Sequence, residues 1–465
     1  MKVRIQPPPL QELEEQIKRA SEAQEYRRQT YSFTIVNAAV LTGTSTDLTQ
    51  VGDVRATSVR GHLRFWWRAT RGAQFRTPGD LKARERLIFG DTSLPSPFRM
   101  SVTMYASVKQ SSLYRMDSYV AFPYKQKDKA DSSAVAFDEQ RRRRFDLHLD
   151  YGDSVAYSSG SKEPLVILSA EEVRYEIQFA LWAWCNFGGV GARTRRGCGS
   201  LYCPDFSPNM NNGWNAIEVR KWANDWLEKL PSLMPDESRE WPVLAMLRDG
   251  EQGLAIQDKP ATTNIVWGDT IRLYFKFRQK RNTPKARTHW PEPDAIRRIT
   301  DWKSEKHKLP FSLDEKSNIA FPRAQFGLPI IFQFKDDSSS SGQEPLKTEL
   351  NHEDPEKNRL ASPLILKPLA ISEDRAYGAI IRLLQPPLKS LRLKRVPDRK
   401  MSMHTRTKDF DQRLEKTRIL PEHIYPKHFI SSHYPLKDSG PDAVAGFMCS
   451  AEVQNWKKSF RNNKR

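Results

Sequence analysis

Residues 187–200 of the chain read Phe-Gly-Gly-Val-Gly-Ala-Arg-Thr-Arg-Arg-Gly-Cys-Gly-Ser, with five glycines (Gly188, Gly189, Gly191, Gly197 and Gly199) set around three arginines (Arg193, Arg195 and Arg196). Glycines let backbone amides come close to an anion, and guanidinium groups stay charged and present a fork of donors that matches phosphate oxygens. The chemistry is that of a loop that tracks phosphates. The GxxxxGK[ST] of a nucleotide-hydrolysing loop is missing, and the GxGxxG of a dinucleotide fingerprint fails, with no strand before it, so neither activity is expected. The plain alternative is a structural turn whose arginines are incidental.

A second basic pattern lies upstream. Arg60, Arg64, Arg68 and Arg71 follow at i, i+4, i+8 and i+11, along one edge of a helix, beside an apolar arc of Val59, Leu63, Trp66, Trp67 and Thr70 that faces a core. On composition alone a solvated basic face would look the same. Aromatic residues accompany both segments (Phe65, Trp66 and Trp67; Trp182, Trp184 and Phe187), as stacking on unpaired bases requires. Apolar-face spacing assigns Trp67 and Trp184 to core packing and leaves Phe65 and Trp66 more open.

His62 lies outside the arginine stripe, near enough to serve as acid or base toward a 2′-hydroxyl in metal-free RNA cleavage, although a lone histidine is more often a packed or capping residue. His423, His428 and His433 recur every five residues, which suits neither a helical i, i+4 metal pair nor a zinc finger. Cys198 and Cys203 have no second pair nearby, and no carboxylate pair marks a two-metal site. No metal or cofactor is expected.

The elements that must position these residues can be read from composition and pattern. At ~100–200 residues per domain, 465 residues give two to four domains. Lys and Arg number 75 against 56 Asp and Glu, a net charge of +19 with a pI near 9.7, so a polyanion, nucleic acid first, is the expected partner. The hydrophobic fraction of 38% is below the roughly 45–50% usual for globular domains, which predicts long solvated insertions. With a mean hydropathy of −0.68 and no apolar run near ~20 residues, no membrane span is expected. Four cysteines without a CxxC pair, and no secretory leader behind Met1, fit a cytoplasmic location.

Helices are predicted over residues 10–28, 58–71, 170–186, 215–230 and 443–460, and strands over 33–41, 99–108, 164–168, 269–277, 326–334, 363–366 and 378–384. Residues 124–144, ending in four consecutive arginines, read as a mobile basic insertion, and 278–290, 336–358 and 386–418 as polar excursions. Helices and strands mix without steady βα alternation, so the class is α+β.

Taken together, the motifs resemble a known family. Residues 55–68 (Arg-Ala-Thr-Ser-Val-Arg-Gly-His-Leu-Arg-Phe-Trp-Trp-Arg), Glu85 with Ile88-Phe89-Gly90, the loop 187–200, and the second-half segments 289–297, 321–329 and 359–366 are similar to the first-numbered RAMP subunit of type III-B (Cmr) CRISPR effector complexes. The resemblance covers most of residues 31–385 in blocks, leaving the arm 1–30, the insertion 124–162 and the tail beyond 386 unplaced. It implies two ferredoxin-like (RRM-like) domains with long insertions, assigned to 31–210 and 211–465 after an N-terminal helical arm at 1–30. It also implies a non-catalytic antiviral subunit at the end of a complex with other RAMP subunits, engaging single-stranded target RNA near the 3′ end of the guide RNA. The RNA-binding residues expected are Arg55, Arg60, His62, Arg64, Trp66, Arg68, Gly188, Gly189, Gly191, Arg193, Arg195, Arg196, Gly197 and Gly199. The loop departs from the family at Cys198, where a bulkier residue is expected. The competing reading is a metal-independent endoribonuclease with His62 as base; the sequence offers no clear partner to complete its acid–base pair.

Overall fold

The structure is a computed structural model that describes residues 27–39, 41, 53–105, 120, 143–156, 165–208, 215–234, 237–283, 286–314, 319–334, 344–354, 356, 359–397, 405–428 and 430–458. Strand β1 (Arg28–Ile35), helices α1 (Ala56–Ala69) and α2 (Pro78–Phe89), and strands β2 (Phe98–Tyr105) and β3 (Arg143–Tyr151) come first. A short antiparallel pair, β4 (Ser154–Ala156) and β5 (Leu165–Leu168), leads into helix α3 (Ala170–Phe187) and strand β6 (Leu201–Tyr202). The first sheet is antiparallel in the order β2, β3, β1, β6. Alternation decides its faces: Phe145, Leu147, Leu149 and Tyr151 are buried, while Arg144, Asp146, His148 and Asp150 point to the other side.

Helix α3 starts at a capping box, in which the Ser169 side chain accepts from the Glu172 amide and Glu172 reaches back to Ser169. Its Trp184 ring packs on Phe33 and Phe145, paired across β1 and β3 with centroids 5.3 Å apart. Buried Glu176 of α3 accepts hydrogen bonds from Trp67 Nε1 (2.8 Å), Arg71 Nε (3.2 Å) and Arg84 Nη2 (3.1 Å), tying α3 to α1, the turn after it and α2.

The second half contains helix α4 (Ala216–Leu227), strands β7 (Val243–Leu244), β8 (Leu254–Ile256) and β9 (Ala261–Thr262), and helices α5 (Thr263–Gln279) and α6 (Glu292–Thr300). Strands β10 (Ile330–Phe332), β11 (Thr348–His352), β12 (Leu364–Ala370), β13 (Arg375–Leu384) and β14 (Leu391–Arg395) follow, then α7 (Thr405–Lys416), β15 (Arg418–Ile419), α8 (Ala443–Cys449) and α9 (Ala451–Lys458). One sheet runs β10, β11, β14, β15; the other is the β12–β13 hairpin with β7, β8 and β9 paired along β13. Both faces of that hairpin are buried. Ile365, Leu369, Tyr377, Ala379 and Ile381 join the core around the first sheet, whereas Leu364, Leu366 and Ile380 join a second core with Tyr274, Phe326 and Phe447.

Lys367 falls on the side of β12 that faces the first core. It is completely buried, and its Nζ donates to the carbonyls of Gly188 (2.8 Å) and Cys185 (3.2 Å) at the end of α3. Burial lowers its pKa to about 7.

Several sequence expectations need correction. Residues 269–277 are not a strand but part of α5: Ile271, Leu273, Phe275 and Phe277 alternate, yet the buried set Val266, Trp267, Thr270, Ile271, Tyr274 and Phe277 follows the helical period. Residues 143–151, assigned to an insertion over 124–162, form β3 in the interior of the first sheet. The excursions 336–358 and 386–418 contain β11, β14 and α7, anchored by buried Leu350, Leu391, Leu393, Phe410 and Leu414. The strand expected over 33–41 instead spans 28–35, and that over 326–334 shrinks to 330–332 behind a 3₁₀ turn at Pro322–Phe326. The helix over 443–460 breaks at Ser450. The arm at 10–26 and the insertion at 124–142 lie outside the described residues.

The lysine gives a signed pH dependence. An unfolded lysine titrates near ~10.4, so between about 7 and ~10 the unfolded chain keeps a proton that the folded chain has released, and stability rises with pH across that window. Urea unfolding at pH 7, 8 and 9 should show the unaltered chain gaining on Lys367→Met by up to about 1.4 kcal/mol per pH unit. A stability difference that stays constant with pH would show that the buried amine titrates normally.

Candidate functional site

The arginine stripe lies on α1, whose buried Val59, Leu63, Trp66 and Trp67 fix the helix's rotation against α3. Arg64 Nε donates to Glu85 Oε1 (2.7 Å), and Arg68 holds both carboxylate oxygens of Glu85 at 2.6 Å. Glu85 comes from α2 and is buried; burial alone would raise its pKa, but the bonds from Arg68 and Arg64 outweigh this and hold it below the ordinary value. The two arginines remain 39% and 43% exposed. Arg60 donates to the Phe89 carbonyl (2.7 Å) and lies over the Phe98 ring, and burial followed by the nearby Arg64 charge lowers its pKa. Arg55 is exposed just before the helix. Two guanidiniums, Arg64 and Arg68, therefore hold one buried carboxylate on a half-open rim, with the charge of Arg60 beside Arg64. Arg71 belongs to Glu176, away from that cluster.

The glycine-rich loop meets this rim from the end of α3. Its Thr194–Arg196 turn is flanked by left-handed residues, Arg193 at φ 63° and Gly197 at φ 78°. A Cβ on Gly197 would lie 2.5 Å from the Leu366 carbonyl oxygen, and one on Gly199 2.0 Å from that of Val190, so these two glycines allow backbone to press on backbone. Arg195 lies over Phe65 (5.2 Å) and donates to the Ser362 carbonyl (2.9 Å), while Arg196 lies over Tyr274 (4.7 Å) and donates to the Leu364 carbonyl (3.3 Å). Burial, then the adjacent Arg196, lowers the Arg195 pKa to about 10. Arg193 donates to the Val120 carbonyl. The loop arginines thus fasten the loop to neighbouring backbone, and two of them reach the edge of β12.

Other expected residues fall differently. Trp66, expected to be open, is buried: its indole packs beside Phe187 and abuts Gly188, so no face is available to stack on a base. Trp67 and Trp184 are core residues, as their spacing predicts. His62 stacks on Trp184 (6.2 Å between ring centres) and burial lowers its pKa; among the described residues it has no hydrogen-bond partner. Gly188 and Gly189 use their carbonyls as acceptors for Lys367 and for Trp184 Nε1, and Gly191 is exposed. Cys198 fits as a small buried member of the second core. Among the described residues no three His, Cys, Asp or Glu side chains form a metal-holding group. Sequence reasoning missed Lys367; its one signal was a lone lysine inside the apolar run Leu364-Ile365-Leu366-Lys367-Pro368-Leu369.

Comparison with known proteins follows the same segment. The family model of the RAMP superfamily matches residues 37–202. The CRISPR system Cmr subunit Cmr1-1 of Pyrococcus furiosus is 32% identical over 166 residues, 34% of this chain and 44% of that protein. Subunit Cmr1-2 of the same organism is 30% identical over 158 residues, 31% of this chain and 79% of that protein. The chain thus spans less than half of the first relative and about four fifths of the second. The crystal structure of apo Cmr1 from Pyrococcus furiosus aligns over 84% of this chain and 98% of its own, with 18% identity and a TM-score of 0.43. With the glycine loop and the α1 arginines inside the matched segment, the chain belongs to the RAMP superfamily, among the Cmr1 subunits of type III-B CRISPR systems.

Proposed function

We propose that the chain is a non-catalytic RNA-binding subunit of a cytoplasmic type III-B effector complex, engaging single-stranded target RNA near the 3′ end of the guide RNA and adjoining other RAMP subunits. On this reading it consists of an N-terminal arm (1–30), whose last three residues open β1, and two ferredoxin-like domains (31–210 and 211–465). The observation that carries the proposal is the rim of α1, where Arg64 and Arg68 share one carboxylate, Arg60 beside them has only a backbone carbonyl as acceptor, and positive charge stays in excess and partly open to solvent, in a chain of net charge +19. Guanidiniums fixed by a buried anchor are suited to phosphate oxygens and carry no base preference.

Catalysis by His62 is disfavoured by the same geometry. A base for 2′-hydroxyl attack needs a second proton-transfer group on the scissile phosphate, and His62 lies half-buried against Trp184. Binding substrate and transition state equally well would not speed cleavage.

Two measurements test this reading. Because Arg68 alone spans both oxygens of Glu85, Arg64 can be removed without orphaning that carboxylate. The variant Arg55→Ala, Arg60→Gln, Arg64→Gln should therefore stay folded, bind single-stranded RNA more weakly irrespective of sequence, and lose roughly 0.7 of log–log salt slope for each phosphate contact removed. Unchanged affinity and slope in the folded variant would remove α1 from the interface. Separately, labelled guide precursor and target RNA should stay intact with the purified chain, with or without Mg²⁺. Cleavage that persists in EDTA, yields 2′,3′-cyclic ends and falls ~10²–10⁴-fold in His62→Ala would establish the ribonuclease instead.

A further inference from the structure

The second half encloses a cleft of about 690 Å³, bounded by the end of α5, residues 286–290, α6 and the segment from β10 to Phe334. Five arginines line it, Arg278, Arg281, Arg287, Arg297 and Arg323, and the one acidic residue lining it among the described residues is Asp294.

The arginines are held from behind. Glu292, completely buried, accepts from the Arg323 amide (2.7 Å) and Nε (2.9 Å). Asp294 takes Arg287 (2.8 Å) and Arg297 (2.9 Å), and buried Glu344 takes Arg297 Nη2 (2.8 Å) and His307 (2.7 Å). These three carboxylates hold Arg287, Arg297 and Arg323. Arg278 donates to the Arg323 carbonyl (3.2 Å) and rests against the rings of Tyr274 and Phe326, with no carboxylate partner among the described residues. Burial lowers the Arg323 pKa, and the charges of Arg278 and Arg281 push it the same way against Glu292. Like charges kept this close in an open cleft suit a ligand with several negative oxygens.

The cleft and the glycine-rich loop are near each other in the fold. Arg196 of the loop and Arg278 of the cleft lie against the same buried ring, Tyr274, at 4.7 and 6.0 Å from its centre. The cleft is far roomier than one phosphate needs.

We propose that this arginine cleft is a second RNA site, binding the phosphodiester backbone of a single strand near the glycine-rich loop. The inference rests on the RNA-binding reading above and assigns the motif segments 289–297 and 321–329 to phosphate binding.

The test uses the full chain and a uridine-rich single-stranded RNA carrying 4-thiouridine. Photocross-links should fall on peptides containing residues 278–290 and 323–334 as well as on 55–68. The variant Arg278→Gln, Arg281→Gln, checked for folding by thermal unfolding, should bind about tenfold more weakly and lose about 1.4 of log–log salt slope, at ~0.7 per phosphate contact. Cross-links need no variant, so the proposal stays falsifiable if the double substitution unfolds. Cross-links confined to 55–68 and 188–199, with affinity and slope unchanged in the variant, would overturn it and leave the cleft to an acidic polypeptide. Failure of the unaltered chain to bind RNA at all would overturn the RNA reading itself.

Discussion

A lysine without any exposed surface holds the two halves in register. The last carbonyls of a helix lack backbone partners, and the helix dipole makes that end negative. At the end of α3 the carbonyls of Cys185 and Gly188 are met by Lys367 from β12, a strand 179 or more residues away in sequence. Burying an ammonium group is costly, which is why its pKa drops toward neutrality, but charged or neutral the amine has hydrogens for both carbonyls. The consequence is geometric. With the exit of α3 fixed, Gly188 and Gly189 start the loop at a set angle, Trp184 Nε1 binds the Gly189 carbonyl, and Gly197 presses on the backbone at Leu366. This contact, with the bonds from Arg195 and Arg196 to the start of β12, sets the loop against the second-half hairpin.

A second device, a buried carboxylate, recurs where arginines gather outside the glycine-rich loop. Glu85 anchors Arg64 and Arg68, Glu176 anchors Arg71 and Arg84, and Glu292, Asp294 and Glu344 anchor the arginines of the second-half cleft. Each carboxylate is buried, so its lost hydration is replaced by guanidinium hydrogen bonds and, at Glu176, Glu292, Asp294 and Glu344, by indole, backbone or hydroxyl donors as well, which makes the geometry stringent. In a chain with 75 Lys and Arg, repulsion would otherwise spread such side chains apart. Glutamate or aspartate beneath, arginine above, yields fixed guanidinium planes with donors left over. Lysine, a flexible point charge, could not be oriented this way.

Much of the first half was legible because its signals are local. The α1 arc and the apolar face of α3 are each contained within one element. Helix α5 was misread because its C-terminal half satisfies both periods, and only the upstream Val266 and Trp267 break the tie. Strand β3 was hidden by the arginines that open it, although its alternation was present in the sequence. The candidate site was legible in its residue types but not in their partners. Spacing placed Arg64 and Arg68 on one edge; it could not show that Glu85 lies beneath them, nor that Arg195 and Arg196 reach carbonyls of residues 362 and 364. Contacts across such separations are set by the tertiary fold, and no local period encodes them.

The partners of the loop arginines matter for more than packing. Arg195 and Arg196 donate to carbonyls, not to carboxylates, so their geometry is fixed without their charge being cancelled. Arg195 is half-buried and lies over Phe65, next in sequence to Arg64 on the rim. A charge removed from water is screened less, and its field acts more strongly on groups nearby than an exposed arginine would. On the proposed reading the loop therefore strengthens the rim's attraction for phosphate even where its guanidiniums are occupied. A substitution that preserves the charge but not the hydrogen bonds, and one that removes both, act on different quantities: the first loosens the seam between the halves, and the second also weakens the field at α1.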